Sequence, residues 1–303
     1  MKKCLFFFTI FLFSFNFFSQ NFSIEGQWFP DLYSTIDTCT ITDDTLTFEY
    51  RIDFPKKTVP YKKVYKYGML FFEMQENFPK EFNQAYSYPY PGKDVTTSNN
   101  LLILAGNQKN HKVIRYGKEL VYDFIRLIAA TEGFDNPSPF IAPDAYPFNV
   151  YNTRYKDCSS FLIEKGIEYK VDNLCALGMD TPWVENVKGD GIGEGFTITT
   201  TDRFPYLLIM NGYISYKKPH LYKMNNRVKK LKVTGLKSGK SKILDVLDTP
   251  HPQTVDISFI TENEDLRIEI ADVYKGSKYD DTCIHYLINY EDEVIPYENS
   301  IPD

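Results

Sequence analysis

The stretch "TPWVENVKGDGIGEGFTI", residues 181–198, places glycine at every second position from Gly189 to Gly195. This spacing differs from the G-x-G-x-x-G of a dinucleotide-binding loop, which must also open a helix, whereas the strand-like "FTITTT" follows here. A phosphate site without a helix N-terminus lacks its main source of attraction for anions. The stretch therefore predicts a tight turn that leads into a β-strand.

Acidic side chains in the same stretch raise a calcium loop as an alternative. Glu185, Asp190 and Glu194 would offer the hard oxygen ligands that calcium prefers. The stretch lacks the dense alternating acids of a dedicated calcium loop, and no cysteine pair has the close spacing of a zinc site. We therefore expect neither a metal ion nor another cofactor.

The surrounding sequence is rich in strand patterns. Short runs such as "TLTFEYRIDF", "NNLLILAG", "YLLIMNGYISY", "RVKKLKVTGL" and "LRIEIADVY" alternate apolar and polar residues or carry β-branched and aromatic ones. The aromatic content of 16% also suits a β-rich fold better than a helical bundle. No long stretch has helical periodicity, so the sequence predicts an all-β protein.

Composition changes along the chain predict two β units joined by a Pro-rich linker. Residues 131–149 contain four prolines together with Gly, Ser and Asp, which is typical of an extended linker. The predicted segments are a signal peptide at 1–20, a small antiparallel β domain at 21–130, the linker at 131–149 and a second β domain at 150–303.

The N-terminus predicts export. Lys2 and Lys3 precede the apolar residues 5–18, a run shorter than the roughly 20 residues that cross a bilayer. Removing both lysines would change the formal net charge from −6 to −8. An acidic chain disfavours nucleic acid as a partner. We expect a secreted, periplasmic or cell-surface location and no membrane-spanning segment.

Motifs for catalysis are absent from the sequence. The four histidines stand in no recognisable catalytic setting, and there is no G-x-S-x-G elbow. The basic segment "GLKSGKS", residues 235–241, is one residue short of a P-loop, and we interpret it as a hairpin loop. We predict that the protein is not an enzyme.

Export would permit disulfides, but Cys39, Cys158, Cys175 and Cys283 allow three pairings that the sequence does not distinguish.

The first β unit carries a weak motif of its own. Gly26-Gln27-Trp28 is similar to the Gly-x-Trp at the start of lipocalin-like barrels, where an arginine packs over the tryptophan. Arg115 or Arg126 would fill that role. The resemblance implies one alternative function, a barrel that carries a small apolar ligand.

Five blocks of the second half resemble a known family when they are taken in order. They are "TPWVENVKGDGIGEGFTI", "IMNGYISY", "NNRVKKLKV", "LDT" and "IEIADVYKGSKYDDTCI". Together they resemble the NAD-glycohydrolase translocation domain, also called the NADase-type glycan-binding domain, a discoidin-like and galactose-binding-like family. The resemblance covers about residues 150–292. It implies an eight-stranded jelly-roll β-sandwich that binds ligands, often glycans, through loops at one end.

The resemblance also implies roles for individual residues. Segment 173–178, before Trp183, lacks the acids with which related domains hold calcium. The residues expected to contact a ligand are Lys188, Asp190, Tyr213, Arg227, Tyr274, Tyr279 and Asp280. The residues expected to brace the loops are Trp183, Glu185, Glu194, Asn211 and Asn226. Among these, Arg227 has a second interpretation as the buried partner of Glu185 or Glu194.

These observations predict a secreted bacterial protein whose discoidin-like half binds a carbohydrate or glycoconjugate. An alternative is a module that docks onto a protein partner or a partner domain. Exposure of the tyrosines distinguishes the two, because a sugar stacks on an exposed ring beside polar groups. If Tyr213, Tyr274 and Tyr279 meet at one end beside Asp190 and Arg227, sugar binding is favoured. If they are buried, docking is favoured.

Overall fold

The computed structural model describes residues 24–28, 36–50, 55–75, 97–115, 118–131, 140–141, 153–175, 181–200, 202–215 and 218–297. The predicted signal peptide and most of the predicted linker lie outside these residues, so both stay predictions. The described structure is nearly all β, which confirms the predicted fold class. None of the described helices has the length and apolarity needed to cross a membrane.

The N-terminal sheet is an antiparallel meander of eight strands in chain order. They are β1 (Gly26–Trp28), β2 (Ile36–Ile41), β3 (Thr45–Tyr50), β4 (Lys57–Lys66), β5 (Met69–Met74), β6 (Thr97–Arg115), β7 (Lys118–Thr131) and β8 (Phe140–Ile141). The sheet curls as a half-barrel, and β1 and β8 do not pair within the described strands. The side chains of Trp28, Arg115 and Arg126 lie outside the description, so the lipocalin-like packing stays untested.

Local chemistry sets the turns of this sheet. Tyr67 and Gly68 connect β4 to β5 with φ values of 55° and 79°, as a two-residue hairpin with two left-handed positions requires. The inner face of the curl is apolar, and Phe48 and Phe72 are completely buried in it. Tyr61 stacks on Phe72 with ring centroids 3.9 Å apart. The N-terminal sheet therefore has a hydrophobic core of its own.

The second half of the chain forms a sandwich of nine paired strands, one of which, β12, has only two residues. Its sheet strands are β9 (Thr153–Lys156), β12 (Trp183–Val184), β13 (Gly195–Thr200), β14 (Tyr206–Asn211), β15 (Asn226–Gly235), β16 (Ser241–Asp245), β17 (Gln253–Asp256), β18 (Leu266–Tyr274) and β19 (Thr282–Tyr290). A separate hairpin consists of β10 (Ile163–Glu164) and β11 (Ile167–Glu168). The predicted strands in "GFTITTT" and "LRIEIADVY" and the "GLKSGKS" hairpin loop are confirmed. The strand predicted over "YLLIMNGYISY" ends earlier, at Asn211, because Gly212 follows with a φ of 82°.

Two layers face each other across the main core of the sandwich. The first has the order β16-β15-β18-β13-β9, and the second contains β17, β14, β19 and β12. Among the described strands, the only backbone pairing between the layers is the parallel one of Asn226 and Arg227 with Thr282 and Cys283. Beyond that point inward side chains such as Leu231, Phe196 and Leu287 fill the space between them.

The outer face of the second layer is apolar and is covered by the N-terminal sheet. Leu208 and Met210 of β14 share one buried cluster with Tyr286 and Ile288 of β19 and with residues of β5 and β6. All nine residues of β19 are buried, because β19 has the sandwich core on one face and the N-terminal sheet on the other. The molecule is therefore stacked in three layers over this region.

A final strand, β20 (Val294–Pro296), crosses from the sandwich to the N-terminal sheet. It pairs antiparallel with β6 at Gly106–Gln108, beyond the part of the same strand that β5 covers. Thr254 Oγ1 of β17 receives a hydrogen bond from the Val294 amide at 2.8 Å. The predicted domain boundaries stay a prediction, but the last strand of the predicted second unit belongs to the first sheet. Within the described chain Cys39, Cys158, Cys175 and Cys283 are free thiols.

Candidate functional site

Four loops lie at the end of the sandwich where the two layers join. They are residues 185–194 after β12, 212–225 after β14, 246–252 after β16 and 275–281 after β18. The 212–225 loop contains a short helix, α1 (Leu221–Met224). We call loops 185–194 and 275–281 together the rim, because they carry most of the predicted ligand contacts.

The glycines of the rim build the predicted turn. Gly189, Gly191 and Gly193 have φ values of 100°, 66° and 91°, a region that other residues resist. Gly195 has a different role, because a Cβ atom there would lie 1.9 Å from the carbonyl oxygen of Ile268. The glycines are therefore needed for backbone conformation and close packing, and the segment leads into β13 as predicted from the sequence.

The side chains of Trp183 and Glu194 anchor both ends of this turn to the segment that follows β9. Trp183 is completely buried, and its indole N–H donates to the carbonyl oxygen of Ser160 at 3.1 Å. The Glu194 carboxylate accepts from the Ser159 and Ser160 hydroxyls at 2.6 Å and 2.5 Å. The turn is therefore held at its base while its tip, with Lys188, stays exposed.

Glu185 is a buried carboxylate beneath the rim. Its oxygens accept from the backbone N–H groups of Val187 at 2.8 Å and Thr282 at 3.0 Å. Burial raises the pKa of Glu185 despite these two hydrogen bonds. A Cβ atom at Gly191 would lie 2.5 Å from Glu185 Cγ, so the glycine makes room for the carboxylate. Glu185 thus joins loop 185–194 to the start of β19.

Asn226 is the point at which the two rim loops meet. Its amide nitrogen donates to Asp190 Oδ1 at 3.1 Å and to the Asp280 carbonyl oxygen at 2.6 Å. Its amide oxygen accepts from the Gly276 N–H at 2.7 Å. Lys275 forms an ion pair with Asp190 and thereby lowers the pKa of that carboxyl group. One buried amide therefore holds Asp190 beside the 275–281 loop.

Arg227 lies below the rim, and its partner differs from both predicted candidates. Its guanidinium pairs with Asp248 through two hydrogen bonds of 2.9 Å, and neither Glu185 nor Glu194 is its partner. A further N–H donates to the Asn225 carbonyl oxygen at 2.9 Å. Burial opposes ionisation of Asp248, but the hydrogen bonds and charge of Arg227 lower its pKa overall. Arg227 is only 5% exposed, so it positions the loops from beneath.

Asp248 belongs to the candidate site but was not among the residues predicted from the sequence. It belongs to the "LDT" block, and it also accepts from the Tyr222 hydroxyl at 3.2 Å. Asn211 supports the same loop, since its amide nitrogen donates to the carbonyl oxygens of Val228 at 2.7 Å and Leu247 at 3.2 Å. The sequence did hold one signal for this pair, since Arg227 and the acid of the "LDT" block both lie in the quoted blocks.

The predicted tyrosines do not all reach the exposed end. Tyr213 is half-buried against Tyr169, with ring centroids 6.1 Å apart, and Tyr274 donates its hydroxyl to the Val246 carbonyl oxygen at 3.1 Å. Tyr279 is 36% exposed, with the Lys278 ammonium 4.9 Å from its ring centroid. The three rings therefore do not meet at one exposed end, and the rim offers a single exposed ring, Tyr279, flanked by Asp280.

Acidic side chains of the rim also affect one another. Burial, followed by the charges of Asp280 and Glu164, raises the pKa of Asp281. Across the described ranges no group of three or more His, Cys, Asp or Glu side chains could hold a metal ion.

Comparison with known proteins agrees with the predicted resemblance. Residues 148–288 match the family model described as the NAD glycohydrolase translocation F5/8 type C domain, which confirms the resemblance over that region. The F5/8 type C description denotes a discoidin-like module, which the family name associates with translocation of an NAD glycohydrolase. No curated protein matches the chain.

Proposed function

We propose that this chain is an exported, non-catalytic binding protein that holds a carbohydrate or glycoconjugate at the rim. The main support for the proposal is the set of hydrogen bonds made by Asn226. They bring Asp190 and the Tyr279–Asp280 pair to one exposed edge. Discoidin-like modules often bind carbohydrates or proteins, and this region matches such a module. Asn226 therefore joins the groups that a sugar requires.

The chemistry of the rim suits a sugar with vicinal hydroxyl groups. The exposed face of Tyr279 offers an apolar surface for the C–H face of a pyranose ring. Asp280 is exposed and forms no ion pair among the described residues, so its carboxylate is available to accept from hydroxyls. Lys188 at the tip of the neighbouring loop would contribute a donor. No cofactor is required by this arrangement.

The test is a glycan-array screen of the intact chain, followed by affinity measurements on variants. Tyr279→Ala is expected to weaken binding about tenfold, which corresponds to about 1.4 kcal/mol. Asp280→Asn should weaken binding in the same direction. Ile243→Ala is the matched control, because Ile243 is an exposed apolar residue on β16 away from the rim. Absence of glycan binding by the folded chain, or unchanged affinity in Tyr279→Ala, contradicts the proposal.

A second candidate function is docking onto a protein partner. One observation favours it: Val187 and Ile192 are 40% and 57% exposed on loop 185–194, beside the rim residues that the sugar would contact. If a protein is the ligand, Ile192→Ser should abolish its binding. If a sugar is the ligand, the same variant should leave affinity unchanged, because neither side chain offers a polar group.

A further inference from the structure

The last two carbonyl groups of helix α1 accept hydrogen bonds from the rim loop 275–281. The Ser277 N–H donates to the Lys223 carbonyl oxygen at 2.9 Å, and the Tyr279 N–H donates to the Met224 carbonyl oxygen at 2.9 Å. The approach is close, because a Cβ atom at Gly276 would lie 2.3 Å from the Met224 oxygen. The position of Tyr279 therefore follows the position of α1.

The other side of α1 contacts the N-terminal sheet. A Cβ atom at Gly68, in the turn between β4 and β5, would lie 2.9 Å from Lys223 Cε and 3.1 Å from Tyr222 Cε1. The neighbouring Tyr67 ring lies edge-on to His220, with centroids 6.1 Å apart. Tyr222 itself is completely buried in the cluster shared with β5 and β6. The turn therefore covers α1 directly.

A buried polar network fixes the orientation of α1. The Tyr222 hydroxyl donates to Asp248, which also pairs with Arg227, and the Arg227 guanidinium lies 5.5 Å from the Tyr222 ring centroid. Arg227 in turn donates to the Lys275 carbonyl oxygen at 3.3 Å, at the start of the rim loop. The contacts of α1 with the N-terminal sheet and with the rim loop are therefore connected through one set of side chains.

We infer that the N-terminal sheet is a positioning element of the rim. Its β4–β5 turn fixes α1, and the carbonyl groups of α1 fix the loop that carries Tyr279 and Asp280. The rim is thus incomplete without the first half of the chain. The consequence for ligand affinity rests on the function proposed above, whereas the structural coupling can be measured without any ligand.

The experiment is hydrogen exchange, measured by mass spectrometry on the intact chain, at the amides of residues 277–279. Gly68→Leu introduces a side chain at the contact with α1. Gly239→Leu is the matched control, because Gly239 has a φ of 70° beside 79° for Gly68 and has nothing within 4 Å of a Cβ atom. We expect about tenfold faster exchange in Gly68→Leu, because the opening free energy of this loop falls, and unchanged exchange in Gly239→Leu.

Tyr222→Phe is the second variant, since it keeps the buried ring and removes only the hydroxyl bound to Asp248. It should also accelerate exchange at residues 277–279. Wild-type exchange at these amides in Gly68→Leu overturns the inference whatever Tyr222→Phe shows, and so does equal acceleration in Gly239→Leu. Because no glycan is used, failure of the proposed function would leave these outcomes unchanged.

Discussion

We predict that His251 makes the contact between the two halves of the chain sensitive to pH. It is 1% exposed, and its Nδ1 atom accepts a hydrogen bond from the Ala105 N–H of β6 at 3.2 Å. Its ring lies edge-on to Tyr297, with centroids 5.4 Å apart. An accepting nitrogen carries no proton, and burial lowers the pKa of His251 from 6.5 to about 3. Protonation would both remove the hydrogen bond and bury a charge.

The sign and size of the effect follow from these values. The unfolded chain binds a proton on His251 near its usual pKa of 6.5, whereas the folded chain resists protonation down to about 3. The stability that neutral His251 contributes is therefore complete above that unfolded pKa and is lost as the pH falls. At about pH 5 the loss is about 2 kcal/mol, because each pKa unit corresponds to about 1.4 kcal/mol.

The assay is urea unfolding of the wild type and of His251→Asn at about pH 7.5 and about pH 5. Asparagine places an accepting oxygen near the position of Nδ1 and does not titrate. The wild type should lose about 2 kcal/mol more than His251→Asn between these conditions. His220→Gln, at a partly exposed histidine, should behave as the wild type does. Equal losses in the wild type and His251→Asn would refute the reasoning.

Two further predictions concern the loops. Arg227→Met removes both guanidinium hydrogen bonds of the Asp248 carboxylate and should lower the free energy of unfolding in urea by about 2–3 kcal/mol. Lys230→Met breaks the exposed ion pair with Asp245 and should lower the free energy of unfolding by less than about 1 kcal/mol. Similar losses of stability in Arg227→Met and Lys230→Met would show that burial of Arg227 is unimportant. Gly195→Ala places a methyl group 1.9 Å from a carbonyl oxygen and should prevent folding. Gly193 has open space around it, so Gly193→Ala should lower the free energy of unfolding by only about 1–2 kcal/mol. Equal melting temperatures for Gly195→Ala and Gly193→Ala would contradict the different roles assigned to these two glycines.

The strands and turns were predictable because their determinants are local. Alternation of apolar and polar residues marks β18, and the glycines of residues 189–195 mark the turn before β13. The all-β class and the discoidin-like resemblance followed from such patterns in order along the chain. Trp183 could likewise be placed in a core from its size and neighbours.

Contacts between distant segments could not be predicted in this way. The sequence suggested Glu185 or Glu194 as the partner of Arg227, whereas the path of the chain brings Asp248 beside it. The run "TCIHYLINY" did contain a signal, since a nearly continuous apolar strand is typical of a strand covered on both faces. What covers β19, the N-terminal sheet, depends on packing over the full length of the chain.

The N-terminal sheet and the sandwich share one buried apolar cluster, so we expect them to unfold as one unit. Differential scanning calorimetry of the intact chain at neutral pH tests it most directly. We expect a single transition whose calorimetric and van't Hoff enthalpies agree. Phe71→Asp, in the shared cluster, should lower the midpoint temperature of that whole transition. Two separate transitions, with the one for the sandwich unmoved by Phe71→Asp, would contradict it.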